Sequence, residues 1–360
     1  MKLLFALPGF HRFDRGAEVA LLSVAAELAR SGDAVTVMGS GEPREGVPYS
    51  YRRVPAVSRE RFEGFPYFPP LRSETAWEDA SFVPGLLAAY RPSDFDAVVT
   101  CSFPFTHWAL GRIARKRPLR LFVTQNGDWP AYANSSEYRS FKCDGLVCTN
   151  PDYFERNRSR WPSALIPNGV DLGRFRTGEG ERARLGLPLD RPIILMVSAH
   201  IATKRVLDGI RAVAKLEDAH LVVAGDGPLR GEAAALAADI LPGRYQRISL
   251  PASEMPSLYR SADVFLHLSL LESFGNVFLE AWASGLPVVG HDSERLRWIL
   301  GENSDYLCDT EQGDVLVATL RRALAQGRQA EGSASGIERF GWPTIARQYR
   351  EFISALLARR

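Results

Sequence analysis

Val264-Phe265-Leu266-His267-Leu268, followed by Glu272-Ser273-Phe274-Gly275-Asn276-Val277-Phe278-Leu279-Glu280, is the stretch whose reading decides the fold. The first run is apolar and short, as expected of a buried strand. The second opens with loop residues and then reads as a helix that stops near Gly285-Leu286-Pro287. Strand, loop and helix in that order place ligands at the carboxyl edge of a parallel sheet. Amides around Phe274, Gly275 and Asn276 would face that edge and favour a phosphate. Glu272 at the helix entrance and Glu280 further inside bring two carboxylates to one region. Carboxylates accept hydrogen bonds from hydroxyls, so a sugar and a ribose are natural partners.

The same alternation runs outward in both directions. Strands are expected near 2–7, 34–38, 97–101, 119–124, 146–149 and 164–166, then near 193–197, 220–224, 247–250, 264–268 and 287–290. Apolar strands separated by helical patterns predict parallel sheets covered on both faces. Two consecutive series predict two doubly wound domains, with the boundary near Asn168–Gly178, where turn residues cluster. Residues 41–73 break the rhythm with six prolines interleaved with Arg52, Arg53, Arg59, Arg61, Phe62, Phe65, Tyr67 and Phe68. This excursion reads either as a loop packed on the surface or as an acceptor-binding or membrane-facing surface, since aromatics and arginines suit sugars and anionic headgroups. From Trp342, residues Ile345, Ala346, Tyr349, Phe352, Ile353, Leu356 and Leu357 have helical spacing.

Composition narrows the function. The 360 residues include 46% hydrophobic and 24% charged side chains with a net charge of +2. Neither half is strongly basic, so nucleic acid is not an expected partner. Cys101, Cys143, Cys148 and Cys308 lack zinc-site spacing and read as structural or incidental thiols. The start, Met1–Gly9, is too short for a signal peptide, and no apolar run approaches the roughly 20 residues that span a bilayer. A reducing cytoplasm is the expected location.

The glutamate pair resembles the E-x7-E signature of retaining glycosyltransferases of family 4 (group 1). Pro167-Asn168-Gly169-Val170-Asp171 with Phe175 is similar to that family's "PNGVD..F" junction. Ala224-Gly225-Asp226-Gly227-Pro228 is similar to its "GdGP" turn, and Ala281-Trp282-Ala283-Ser284-Gly285-Leu286-Pro287-Val288-Val289 to its "EAmA.GlPVV" run. The motifs come in the family's order and cover the second half; the first half matches more loosely. The resemblance implies an α/β GT-B fold, two Rossmann-like doubly wound domains facing a central cleft. It implies an acceptor-binding domain over 1–170, a nucleotide-sugar-binding domain over 171–340, and a helix over 341–360 crossing back to the first.

It also assigns roles. Glu272 would contact the donor sugar and Glu280 the ribose hydroxyls, with Phe274, Gly275 and Asn276 donating amides. Lys204 stands at the donor-phosphate lysine. The family usually carries an arginine four residues earlier; His200 stands there, and Arg205 is the candidate for the missing cation. Lysine and arginine both suit phosphate, one as a point charge and the other as a planar fork. Gly16 opens the helix after the first strand, where the family often has two glycines, and is a candidate phosphate or acceptor contact. Asn126 stands where many members have a histidine beside the transferred sugar. Asn cannot act as a base near neutral pH, which leaves Asp128 as the nearest group to assist deprotonation of an acceptor hydroxyl. His107 is a second acceptor-side candidate, with a structural histidine as the alternative. His11 reads as an acceptor ligand or a polar surface residue.

The resulting expectation is an enzyme that moves a sugar from a nucleoside-diphosphate donor to a hydroxyl acceptor with retention, without a metal or other cofactor. A saccharide or lipid-linked saccharide is the expected acceptor, and a peripheral contact with the inner face of the membrane goes with it. A non-catalytic sugar-nucleotide binder and a sugar-nucleotide epimerase of the same fold are the competing readings, motivated by His200 and Asn126.

Overall fold

The computed structural model describes residues 1–112, 118–125, 141–270, 272–328 and 336–360. The chain divides into two compact units, Met1–Gly169 with Trp342–Arg360, and Val170–Gly341.

The first unit is built on β1 (Lys2–Ala6), β2 (Ala34–Gly39), β3 (Ser50–Arg53), β4 (Ala97–Cys101), β5 (Leu119–Thr124), β6 (Gly145–Cys148) and β7 (Ser163–Leu165). All pairings are parallel, in the order β3-β2-β1-β4-β5-β6-β7. Side chains alternate between two buried faces, as a strand with period two requires. Leu3 and Phe5 join the core under α1 (Gly16–Arg30), whereas Leu4 and Ala6 join the core under α2 (Glu74–Ala89) and α3 (Pro104–Arg112). A short helix, α4 (Pro151–Asn157), follows β6 and is capped by Asn150, whose side chain accepts from the Tyr153 amide at 2.9 Å.

The second unit repeats the plan. Its strands are β8 (Ile193–Val197), β9 (His220–Ala224), β10 (Tyr245–Ile248), β11 (Val264–His267), β12 (Val288–His291) and β13 (Leu307–Cys308), ordered β10-β9-β8-β11-β12-β13. Helices α5 (Val206–Ala214), α6 (Arg230–Ile240), α7 (Met255–Ser261), α8 (Asn276–Ala283), α9 (Glu294–Leu300) and α10 (Gly313–Gln326) cover it. Ile193 and Leu195 pack with α7, α8 and α9; Ile194 and Met196 pack with α5, α6 and α10.

The last helix, α11 (Trp342–Leu357), lays Ile345, Ala346, Tyr349, Ile353 and Leu356 into the same core as Leu21, Val24, Ala25 and Leu28 of α1. It therefore belongs to the first unit. Two strands that carry no apolar run are β3 and β10, each at an edge of its sheet. β3 lies inside the proline-rich excursion, where Ser50-Tyr51-Arg52-Arg53 pairs with β2 at the sheet edge, its side chains half-buried or exposed.

Candidate active site at the carboxyl edge of the second sheet

β8 and β11 are neighbours in the sheet, yet their connections run to opposite sides: β8 leads towards β9, and β11 towards β12. That reversal is the point where doubly wound sheets bind ligands. The loops that leave β8 and β11 carry Lys204 and Glu272.

Lys204 ends a short turn, Ala202–Lys204, and its Nζ forms an ion pair with Glu272 Oε1. His267, the last residue of β11, brings Nε2 to the same Oε1 at 2.8 Å. The imidazole is buried, lies edge-on to Phe278 with ring centroids 5.0 Å apart, and is parallel to Phe265. Burial alone would raise the Glu272 carboxyl above its ordinary value. The His267 hydrogen bond and charge, followed by the Lys204 ammonium, outweigh that and hold it down at about 2. Both ends of the Lys204–Glu272 pair remain partly exposed, so a ligand can reach them.

Next to this group the chain turns into α8. Gly275 has φ +86°, and a Cβ there would sit 2.5 Å from the Phe278 ring, so only glycine fits. The Phe274 side chain is buried against Trp298 and Phe340, which anchors the loop from below. α8 begins at Asn276, where the Phe278 amide donates to the Gly275 carbonyl at 3.0 Å, and the helix dipole gives the entrance a partial positive charge. Further along α8, Glu280 Oε2 accepts a hydrogen bond from the Tyr259 hydroxyl at 2.7 Å. Burial pushes the Glu280 carboxyl up, against the lowering exerted by Tyr259 and Arg174. The Tyr259 hydroxyl engages Oε2 of this carboxylate and not Oε1.

Other candidates from the sequence are placed differently. Arg205 does not offer its guanidinium to a ligand. Nε holds Asp208 at 2.8 Å, Nη1 donates to Thr310 Oγ1 at 3.0 Å, and Nη2 donates to the Thr310 carbonyl at 3.0 Å. It closes the start of α5 from a left-handed backbone position, φ +53°. His200 is buried with its ring towards the Tyr245 hydroxyl at 3.4 Å, and burial lowers its pKa. A neutral ring does not replace the charge of an arginine. His107 is a structural residue, with Nδ1 on Thr100 Oγ1 at 2.7 Å and Nε2 on the Lys142 carbonyl at 3.2 Å. His11 is neither a surface residue nor open to a ligand: it is buried, stacks on Tyr51 with centroids 3.8 Å apart, and hydrogen-bonds Tyr49 and the Glu42 carbonyl. Gly16 does open α1, at the carboxyl edge of the first sheet. Asn126 and Asp128 lie outside the described residues. Among the described residues no group of three or more His, Cys, Asp or Glu is placed to hold a metal ion, and no helix is long and apolar enough to cross a membrane.

His267 is the site residue that sequence reading missed. It sits in an apolar strand and looked like part of it; the available signal was a polar residue at the carboxyl end of a central strand, five positions before a loop glutamate.

Two parallel doubly wound sheets with this pairing define the GT-B glycosyltransferase fold. Solved structures share it over the whole chain. Sucrose-phosphate synthase from Thermosynechococcus elongatus has a TM-score of 0.80 at 22% identity, covering 100% of both chains. The Anabaena HepE protein in complex with UDP-glucose has a TM-score of 0.73 at 17% identity, covering 99% of this chain and 100% of that one. The family model "Glycosyltransferase Family 4" matches residues 15–174, and "Glycosyl transferases group 1" matches residues 179–334. The chain belongs to the group 1, family 4 glycosyltransferases. Among curated relatives, the lipopolysaccharide core biosynthesis glycosyltransferase LpsE of Rhizobium meliloti is 32% identical over 50% of this chain and 53% of its own length. The D-inositol 3-phosphate glycosyltransferase of Mycobacterium avium is 35% identical over 49% of this chain and 46% of its own. The chain spans about half the length of these two curated relatives.

Proposed function

We propose that this enzyme moves a sugar from a nucleoside-diphosphate sugar to a hydroxyl acceptor with retention of the anomeric configuration. The observation that carries the proposal is the convergence of Lys204, His267 and Glu272 beside the entrance of α8. Cleavage of the donor leaves negative charge on a diphosphate, and catalysis requires that charge to be held better in the transition state than in the bound donor. Lys204 and the amides at Phe274, Gly275 and Asn276 form a positive field suited to it. Glu272, kept ionised, accepts hydroxyl hydrogen bonds from the transferred sugar. Glu280 takes the ribose through the carboxylate oxygen that Tyr259 leaves open. Gly16 is assigned a phosphate or acceptor contact, and Asp128 the assistance of acceptor deprotonation beside Asn126.

The second unit is thus read as the donor domain and the first as the acceptor domain. The relatives named for lipopolysaccharide core and inositol phosphate support a saccharide or lipid-linked saccharide acceptor. A peripheral contact at the inner membrane face is assigned to the excursion after β3, where Phe65, Tyr67 and Phe68 are each about half exposed. Vesicle cosedimentation of wild type against Phe65→Ser/Phe68→Ser tests that contact.

The test of the reaction is incubation with UDP-glucose or GDP-mannose, in the presence and absence of EDTA, following release of UDP or GDP. Release with retained anomeric configuration in the product, unaffected by EDTA, is expected. A protein that binds donor but releases no nucleotide with any saccharide acceptor would leave the binder reading in its place.

A further inference from the structure

Glu272 Oε1 is held twice in the ligand-free protein, by the Lys204 ammonium and by His267 Nε2. The proposed reaction gives Lys204 a second task, the departing diphosphate. With the donor bound, the three N–H groups of one ammonium are divided between Glu272 and the diphosphate. The hold of Lys204 on the carboxylate then weakens at the moment it must face the sugar.

His267 is built to stay. It ends a central strand, is 2% exposed, and its ring is clamped between Phe278 edge-on and Phe265 in parallel. Its Nδ1 is buried and finds no hydrogen-bond partner among the described residues. Burying an imidazole with one nitrogen unpaired costs free energy that a leucine at the same place would not. The contact from Nε2 to Glu272 is what that nitrogen arrangement secures. Phe265 and Leu266 on one side and Leu268 on the other show that the strand itself asks only for apolar side chains here.

We infer that His267 is the positioning residue for Glu272, keeping the carboxylate seated against the donor sugar when Lys204 turns to the diphosphate. No covalent step passes through His267; Nε2 donates its hydrogen bond throughout. The inference rests on the donor-site reading above and gives His267 a role that the reading leaves unassigned.

Two substitutions that keep the volume test it. His267→Leu fills the space without a donor, and His267→Gln returns an N–H near the position of Nε2. The probes are UDP-glucose or GDP-mannose, whichever the wild-type enzyme turns over, and the matching free UDP or GDP. His267→Leu should raise donor KM or lower kcat/KM by about tenfold, the loss of one charge-assisted hydrogen bond. Its affinity for the free nucleotide should stay within about twofold of wild type, because the nucleotide lacks the sugar that Glu272 faces. His267→Gln should recover most of the loss. In a Glu272→Gln background, His267→Leu should add little. Equal impairment in both His267 variants, a parallel loss of free-nucleotide affinity, or additive effects with Glu272→Gln would overturn the inference. A Glu272→Gln enzyme with wild-type donor kinetics would instead remove the donor-site reading, and the inference with it.

Discussion

The two sheets have the same strand order around their central pair, β1 with β4 and β8 with β11, but the chemistry at the two reversals differs. In the second sheet the loops bring together a lysine, a histidine and a carboxylate held ionised. In the first, the helix after β1 starts beside buried carboxylates. Glu18 and Glu78 are almost wholly buried, and Arg15 reaches them at 3.8 and 3.7 Å. Burial pushes both carboxyls up, against the lowering from Arg15. Gly9 lies close under Glu18: a Cβ there would sit 2.0 Å from Glu18 Oε1 and displace that carboxylate. One topology thus presents a positive edge in the second unit and, in the first, an arginine over buried carboxylates. Topology sets where a ligand can approach, and the loop residues set its charge.

The sharpest way to break this contrast is Lys204→Ala. Turnover should fall by about 10²-fold or more, with a much smaller change in donor KM, as when other preorganised charge stabilisers are removed. Steady-state kinetics decide it; an unchanged kcat would mean that the positive edge is not where the leaving group departs. Arg205→Ala serves as the contrast within the same loop. Its bonds to Asp208 and Thr310 predict a loss of about 2 kcal/mol in stability, from two or three hydrogen bonds to a charged group, with turnover largely kept. Urea unfolding alongside kinetics checks this, and a rate loss matching that of Lys204→Ala would restore Arg205 as a ligand group.

The glutamates separate the sugar end from the nucleotide end. Glu280→Gln should weaken free UDP or GDP by about tenfold, whereas Glu272→Gln should leave it nearly intact and impair transfer. Calorimetric titration with the free nucleotide distinguishes them, and equal losses would merge the two ends into one subsite. The smallest effect concerns acid. Glu272 titrates below its unfolded value, so its contribution is fully present above about pH 4.5 and is lost as pH falls towards 2. The stability of wild type relative to Glu272→Gln should therefore shrink by about 1–2 kcal/mol between pH 6 and pH 3. A difference that does not change with pH would show that Lys204 and His267 do not hold the charge.

The α/β architecture was legible because strands buried on both faces must be apolar at every position: Ile193–Val197 and Ala97–Cys101 match their expected spans. β3 was not, since an edge strand of Ser50-Tyr51-Arg52-Arg53 gains its pairing from β2 and needs no core side chains. At the site, spacing and resemblance single out Lys204, Glu272 and Gly275, and the fold sets Lys204 against Glu272 with Gly275 at the entrance of α8. For Arg205, a cation beside a lysine reads as a phosphate ligand, whereas the fold turns its guanidinium to Asp208 and to Thr310, about a hundred positions away. His267, His200, His107 and His11 show why a histidine resists reading from one sequence. Its role depends on which partners its two nitrogens meet, and those lie 5, 45, 7 and 38 positions away, respectively.

The membership of α11 in the first unit has a consequence for the order of synthesis. The ribosome completes β1 to β7, then the whole of 170–341, before it releases the helix that covers α1. Until then Leu21, Val24, Ala25 and Leu28 face water on one side, while the second unit already has every one of its own residues. The inserted unit can finish folding first, and the unit begun earliest is closed last, reversing the usual rule that the leading segment of a nascent chain matures ahead of the rest.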